Sequence, residues 1–349
     1  MKKRSIIAGM ALAILPLSGA YTARASCGQA QCSVDSALNA EELTPREIRL
    51  DLTTEYIEQD QPWVDYHSTE VGAILREDHN EVETTNLTWN LRAEAAITDR
   101  WTLAVVLPFV HREHLHLAGE SHSGDGEDNE TDGQVTIGDA TGVPERWNFT
   151  RLGDLRLTAS YAVLQGRRPE EVSLHLIAGL KLPTGDTNVR NDAGEEAEIT
   201  LQPGTASVEP IFGVAVQRSF SVADSGTPWP VSAGFHVRTE GSDGKFGYRP
   251  GTEVVTSLAT EYPVTQRFRA LGQINFRYRD RDHVGDAPGV LAEDTGNEAL
   301  YLTPGMRLDL TDAFGAYTYV QVPVLQRVNG IQLVSRWNLL VGLTYKFDI

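Results

Sequence analysis

After residue 25 the chain has no run of about 18 apolar residues, which excludes membrane-spanning helices. Positive charge is scarce: 30 Lys and Arg stand against 48 Asp and Glu, a formal charge of −18, which argues against a nucleic-acid partner. Only 2 cysteines occur among 349 residues, so no disulfide framework holds the fold. No Ser–His pair and no pair of catalytic carboxylates stands out, and Ser160, Ser173, Ser232 and Ser257 remain isolated candidates.

What is present is alternation. Gln332 to Phe347 reads QLVSRWNLLVGLTYKF. Leu333, Ser335, Trp337, Leu339, Val341, Leu343, Tyr345 and Phe347 fall on one face, and the polar residues fall on the other. The stretch is longer than an ordinary globular strand, and a strand tilted across a bilayer needs roughly 9–11 residues divided this way. Barrel strands offer lipid only every second residue, so a barrel can look soluble by composition.

Met1–Ala25 reads as a secretory signal, with Lys2, Lys3 and Arg4, an apolar stretch Ile6–Leu17 and an Ala23-Arg24-Ala25 cleavage site. Export to an oxidising compartment follows, where Cys27 and Cys32 are expected to pair as a small disulfide loop, with a lipid anchor on Cys27 or a thiol metal or redox site as the alternatives. Residues 26–46 read as a periplasmic leader and residues 47–349 as the barrel.

Twelve strands are predicted: Glu47–Ile57, Thr84–Ile97, Trp101–His111, Leu152–Leu164, Val172–Leu182, Thr205–Phe220, Trp229–Glu240, Arg249–Tyr262, Arg267–Arg279, Ala299–Leu310, Ala316–Val328 and the closing stretch. Longer acidic connections alternate with short turns, as in a closed antiparallel transmembrane β-barrel with short periplasmic turns and extracellular loops. Asn329-Gly330 is a two-residue hairpin signal. Trp101, Phe220, Trp229, Tyr262, Phe268, Phe314, Tyr345 and Phe347 collect at the proposed periplasmic end, where an aromatic girdle belongs. Pro108, Pro210, Pro304 and Pro323 fall inside strands and call for bulges or shorter strands.

Two chemistries are candidates for function. The first is a charged lumen. Arg267, Arg269, Arg277 and Arg279 share a face, and a turn at Pro263–Gln266 sets Glu261 opposite Arg269 and Glu253 opposite Arg277. His175, Lys181, His236, Arg238, Arg307, Arg336 and Lys346 join this lining, as a solute-selecting constriction or as a brace for the wall. The second is metal. His111, His114 and His116 at the top of the third strand, with His67, His79 and His122 in the outer loops, suit a divalent ion. The acidic run Asp125–Asp132 reads as solvated loop charge.

Gly179-Leu-Lys-Leu-Pro-Thr-Gly-Asp186 is similar to a motif of the outer-membrane family named for the meta-pathway of phenol degradation. The CGQAQCSV start, Leu52–Pro62 and Tyr319–Leu333 resemble the same group, and Gly342–Phe347 resembles the C-terminal assembly signal of bacterial barrels. The resemblance implies a barrel transporter of small molecules. The expectation is therefore a passive channel in the outer membrane of a Gram-negative cell, carrying small solutes and among them aromatic compounds. It would be no enzyme and hold no cofactor. Its partners would be lipid, lipopolysaccharide and the barrel assembly machinery. The alternatives are a metal-binding outer-membrane protein and, third, a lipid-modifying enzyme.

Overall fold

The computed structural model describes the backbone of residues 26–27 and residues 43–74, 79–119, 134–166, 168, 170–221 and 227–348. The signal segment, Cys32, His122 and the acidic run lie outside the described residues, as does the expected Cys27–Cys32 bridge. The strands are β1 (Ser26–Cys27), β2 (Glu47–Asp65), β3 (His67–Ser68), β4 (His79–Ala96), β5 (Trp101–Ala118), β6 (Val135–Ile137), β7 (Ala140–Leu152) and β8 (Arg156–Leu164). They continue with β9 (Ser173–Lys181), β10 (Glu209–Ser221), β11 (Pro228–Arg238), β12 (Glu253–Pro263), β13 (Phe268–Arg279), β14 (Asn297–Asp309) and β15 (Phe314–Asp348).

Eleven of these, β2, β4, β5 and β8 through β15, follow one another as a ring, and β15 pairs back onto β2 to close it. Every wall pairing is antiparallel. Closure removes the free strand edges that an open sheet would expose. β7 continues the line of β8 along β5, with the break at Gly153–Leu155. The 35 residues of β15 double back at Asn329-Gly330: Lys346 donates its backbone N–H to Ala313, Thr318 Oγ1 donates to the Leu340 carbonyl, and Asn338 Nδ2 donates to Gln321.

The burial pattern is inverted relative to a soluble protein. Leu52, Leu91, Leu103, Phe212, Leu258, Ile274, Leu302 and Val341 are exposed on the outer surface, while Thr84, Asn86, Gln273, Asn275, Gln321 and Asn338 are buried inside. That is the division a bilayer demands. At the short-turn end Trp101 packs on Tyr161, Trp229 packs on Phe220 and Tyr262, and Tyr345 packs on Phe347, forming the expected girdle.

The strands run further than the sequence suggested at the long-loop end. β2 extends to Asp65 and β5 to Ala118, because β5 finds a partner in β7 where a loop was expected. The four prolines are accommodated individually. Pro108 faces the β7/β8 break, where its carbonyl accepts from Gly153 N–H and no ladder bond is asked of its nitrogen. Pro210 is the second residue of β10. Pro323 sits at a register shift that leaves Val324 bulged outward. Pro304 stays in the ladder opposite Gly272.

Candidate functional site in the lumen

The interior is built in three levels. At the mouth the connections of residues 182–208, 239–252 and 280–296 fold over the barrel as a plug. Val189, Ala197 and Leu201 pack with Trp147 and Phe149 of the wall, and Ile199 packs with Tyr248, Ala287 and Val290. These are the main buried apolar clusters of the long-loop end, so the loops have their own small cores. Gln202 ties the first loop internally through Val189 N–H (3.0 Å) and the Ala197 carbonyl (2.7 Å). Lys245 ties the second loop to the first through the Thr187 carbonyl, Asn188 and Glu196. From the wall, Arg112 donates to the Leu201 carbonyl at 2.5 Å and to Asn86 Oδ1 at 2.6 Å. The Tyr248 hydroxyl donates to Asp282 at 2.5 Å, and Asp282 also accepts from Arg279 at 2.7 Å. Burial, reinforced by the Asp282 charge, pushes the Tyr248 phenol well above its ordinary range.

Below the plug lies a ribbon of alternating charge. Asp154 pairs with Lys181 (2.6 Å), Lys181 with Glu209 (2.5 Å), Glu209 with Arg238 (3.0 Å), Arg238 with Glu253 (3.3 Å) and Glu253 with Arg277 (2.6 Å). Arg277 donates on to Asn297 (2.7 Å), and Asn297 to Gln332 (3.3 Å). The ribbon crosses consecutive strands from β9 to β15. It exists because each contributes one inward residue at this height: Lys181 stands opposite Glu209, and Arg238 opposite Glu253. Asp154 also accepts from Gly185 N–H and Thr205 N–H, both at 3.0 Å. It thereby gathers the Gly179–Asp186 stretch and the end of the plug loop at one carboxylate. Gly185 lies against Gly153 and Gly204 so closely that a Cβ there would meet backbone at 2.8 Å. A cavity of about 140 Å³ opens here, lined by Arg112, Arg156, Lys181, Arg238, Arg277 and Arg279 among others.

A larger cavity of about 500 Å³ lies toward the short-turn end, lined by Pro45, Arg92, Glu94, Thr158, His175, Gln217 and His236. Glu94 takes Arg49 (2.6 Å) and Arg92 (3.2 Å). Gly213 leaves room for the His236 ring, which a Cβ would meet at 2.4 Å. Leu43–Pro45 border this lower cavity, whereas β1 pairs in parallel with Gln332–Leu333 near the opposite end.

The structure brings most of the expected lining together. Arg269, Arg277, Arg279, Glu253, Glu261, His175, Lys181, His236, Arg238 and Arg307 carry their side chains on the inner face, and Lys346 shares the inward parity at the short-turn end. Glu261 bonds Arg269 at 2.6 Å and Glu253 bonds Arg277 at 2.6 Å, but the register differs by two residues. Glu253 stands opposite Arg279 and Glu261 opposite Leu271, so both ion pairs are diagonal. The reason is the turn: Thr265 Oγ1 caps Arg267 and Phe268 N–H, which keeps Pro263 in the ladder opposite Arg269.

Two expected lining residues lie elsewhere. Arg267 is exposed in that turn and donates to the Leu310 carbonyl. Arg336 is expelled to the outer surface, 3.4 Å from Asp60, by the register shifts between Val334 and Asn338. Those shifts bury both Ser335 and Asn338 and leave Arg336 and Trp337 outside.

The histidines do not form the expected triad. They belong to β5, not to a loop, and period two separates them. His111 faces outward with Glu113 and Thr150, while His114 and His116 are buried inside, with His114 bonded to Thr84 and His116 to Glu145. His67 is exposed in β3. Among the described residues no group of three or more His, Cys, Asp or Glu side chains is placed to hold a metal ion. Sequence reasoning missed Asp154, Arg156, Glu209 and Asp282. Inward parity in the expected strands Leu152–Leu164 and Thr205–Phe220 was the available signal for Asp154, Arg156 and Glu209, whereas Asp282 lies in a loop that carries no periodicity.

Comparison with solved structures places this architecture. An outer membrane channel from Pseudomonas putida F1 superposes with a TM-score of 0.56 at 14% identity, over 90% of this chain and 100% of that one. A FadL homologue from Pseudomonas aeruginosa matches at a TM-score of 0.38 and 9% identity, over 87% of this chain and 90% of that one. The first likeness shows a shared barrel fold. No curated protein matches the chain. Residues 79–336, which hold the plug, the ribbon and most of the wall, match the family described as "Putative MetA-pathway of phenol degradation". The chain therefore belongs to that family, with the lumen of its barrel as the candidate site.

Proposed function

We propose that the protein is a passive outer-membrane channel for small solutes in a Gram-negative cell. The observation that carries this reading is the stacking of two cavities, about 140 and 500 Å³, each lined by charged and apolar side chains, along one barrel interior under a plug made of loops. A lumen serving only as a brace has no need of such space, and loops can move without dismantling the wall. With β15 counted as the hairpin it forms, the wall is a twelve-stranded barrel. The family description supports small aromatic compounds as the solute class, and the solved Pseudomonas putida protein of the same fold is named an outer membrane channel. Residues 1–25 act as the export signal. The Gly342–Phe347 end addresses the chain to the barrel assembly machinery, and the outer loops meet lipopolysaccharide.

The test is direct. Refolded protein that shifts in gel mobility on boiling and then conducts ions in a planar bilayer supports the channel. Protein that is heat-modifiable but passes neither ions nor small aromatic solutes in a liposome assay would overturn it.

A further inference from the structure

We propose that Arg156 is the anion-binding residue of a lumen subsite for a small organic carboxylate. The proposal rests on the channel reading and refines it.

At the level of the ribbon the cations outnumber the carboxylates. Six cations line the upper cavity, Arg112, Arg156, Lys181, Arg238, Arg277 and Arg279, against four carboxylates, Asp154, Glu209, Glu253 and Asp282. All four carboxylates are already engaged: Asp154 by Lys181, Glu209 by Lys181 and Arg238, Glu253 by Arg238 and Arg277, and Asp282 by Arg279. Arg112 spends its guanidinium on Asn86 and the plug carbonyls. Arg156 is left over: Glu55 of β2, the strongest opposite charge acting on it, makes no ion pair with it and accepts from Asn90 at 2.8 Å. Among the described residues it makes no ion pair and donates no hydrogen bond, and its Nε is buried without an acceptor.

Its neighbours make this costly. In the ladder Arg156 stands directly opposite Lys181, a like-charge pair that destabilises a sheet. A buried Nε lacking an acceptor, on a half-buried side chain, adds a desolvation cost. An anion arriving from the lumen offsets both, through charge-assisted bonds to a planar fork suited to carboxylate. A cation arriving at the same level meets only carboxylates that already have partners.

Position and surroundings fix the class of ligand. Thr158, two residues along the same strand face, lines the lower cavity, and Asp154, two residues the other way, lines the upper one. Arg156 therefore stands at the junction that a solute crossing between them must pass. The upper cavity also presents Pro108, Val110, Ile199, Pro203 and Pro250. A cation beside an apolar wall in about 140 Å³ suits a compact carboxylate with an apolar body.

The experiment uses the full refolded barrel in detergent, with benzoate as probe and benzyl alcohol as the uncharged control. Calorimetric titration should show benzoate binding and no benzyl alcohol binding. Arg156→Gln should weaken benzoate roughly ten- to a hundred-fold, the loss of one charged, hydrogen-bonded contact. Arg156→Lys should retain more of the affinity. Because Arg156 bonds no side chain among the described residues, both variants should keep the wild-type gel shift on boiling. In a salt gradient the wild-type reversal potential should indicate anion preference, and Arg156→Gln should move it toward cations. Equal benzoate affinity in wild type and a folded Arg156→Gln variant overturns the subsite, whatever the conductance. Benzoate binding that depends on Arg156 in a barrel that conducts nothing upholds the subsite and removes the channel reading instead.

Discussion

Lys181 Nζ lies 2.5 Å from Glu209 and 2.6 Å from Asp154, so one buried ammonium holds two buried carboxylates from different parts of the chain. Such a cluster contributes little net stability against an apolar replacement of the whole set, but breaking it from one side is expensive. Lys181→Met leaves two carboxylates facing each other in the wall. It should destabilise the barrel by about 3–5 kcal/mol, the range for stranding buried charge. Urea unfolding in lipid vesicles reads this, and Lys181→Met combined with Asp154→Asn and Glu209→Gln should recover much of the loss. A single variant as stable as wild type would show that the ribbon is solvated rather than structural.

Gly330 closes the last hairpin with φ +55°, and a Cβ added there would lie 1.8 Å from Asp294 Oδ1. Asp294 is itself fully buried and accepts from Ile331 N–H at 3.1 Å, so it cannot simply swing away. Gly330→Ala should cost about 1–3 kcal/mol through backbone strain and this contact. Unfolding of the variant should start at lower urea, and refolding yield, measured by gel shift, should fall.

Tyr248 gives the plug a pH dependence. Its phenol is buried and bonded to Asp282, so it keeps its proton in the folded state to a higher pH than in the unfolded chain. The group's folded pKa is raised, so its contribution is complete below the ordinary phenol range near 10 and is lost as pH rises through the folded value. The plug should therefore loosen above pH 10, seen as protease access to residues 239–252. Tyr248→Phe should be looser than wild type at neutral pH and lack the alkaline step. An alkaline step of equal size in both would place the titration elsewhere.

The wall was largely legible in the sequence, because period two reports which face meets lipid and lipid leaves no alternative partner for an apolar face. Phe212, Leu258, Ile274 and Val341 are outside for this reason. The ion pairs Glu261–Arg269 and Glu253–Arg277 were legible too, although their register was not, since long side chains reach diagonal partners and a Thr265 cap moved the turn. Arg336 illustrates the limit: alternation is a rule for unbroken ladders, and two register shifts beside it put an inward position on the surface. The plug was not legible at all. Val189, Leu201 and Tyr248 belong to segments with no period, and their burial depends on the wall that surrounds them. The histidines were misplaced because the expected strand stopped at His111, whereas β5 runs on to Ala118 and puts His111 and His114 on opposite faces.

If the barrel interior is a solute path governed by the plug, loosening the Arg112 contact to the Leu201 carbonyl should open it. Single-channel conductance would be recorded for wild type and Arg112→Ala in planar bilayers. Wild type should show a small conductance and Arg112→Ala a larger or more frequently open one, because the plug loses its tie to the wall. Heat-modifiable protein that remains silent in both forms would contradict it.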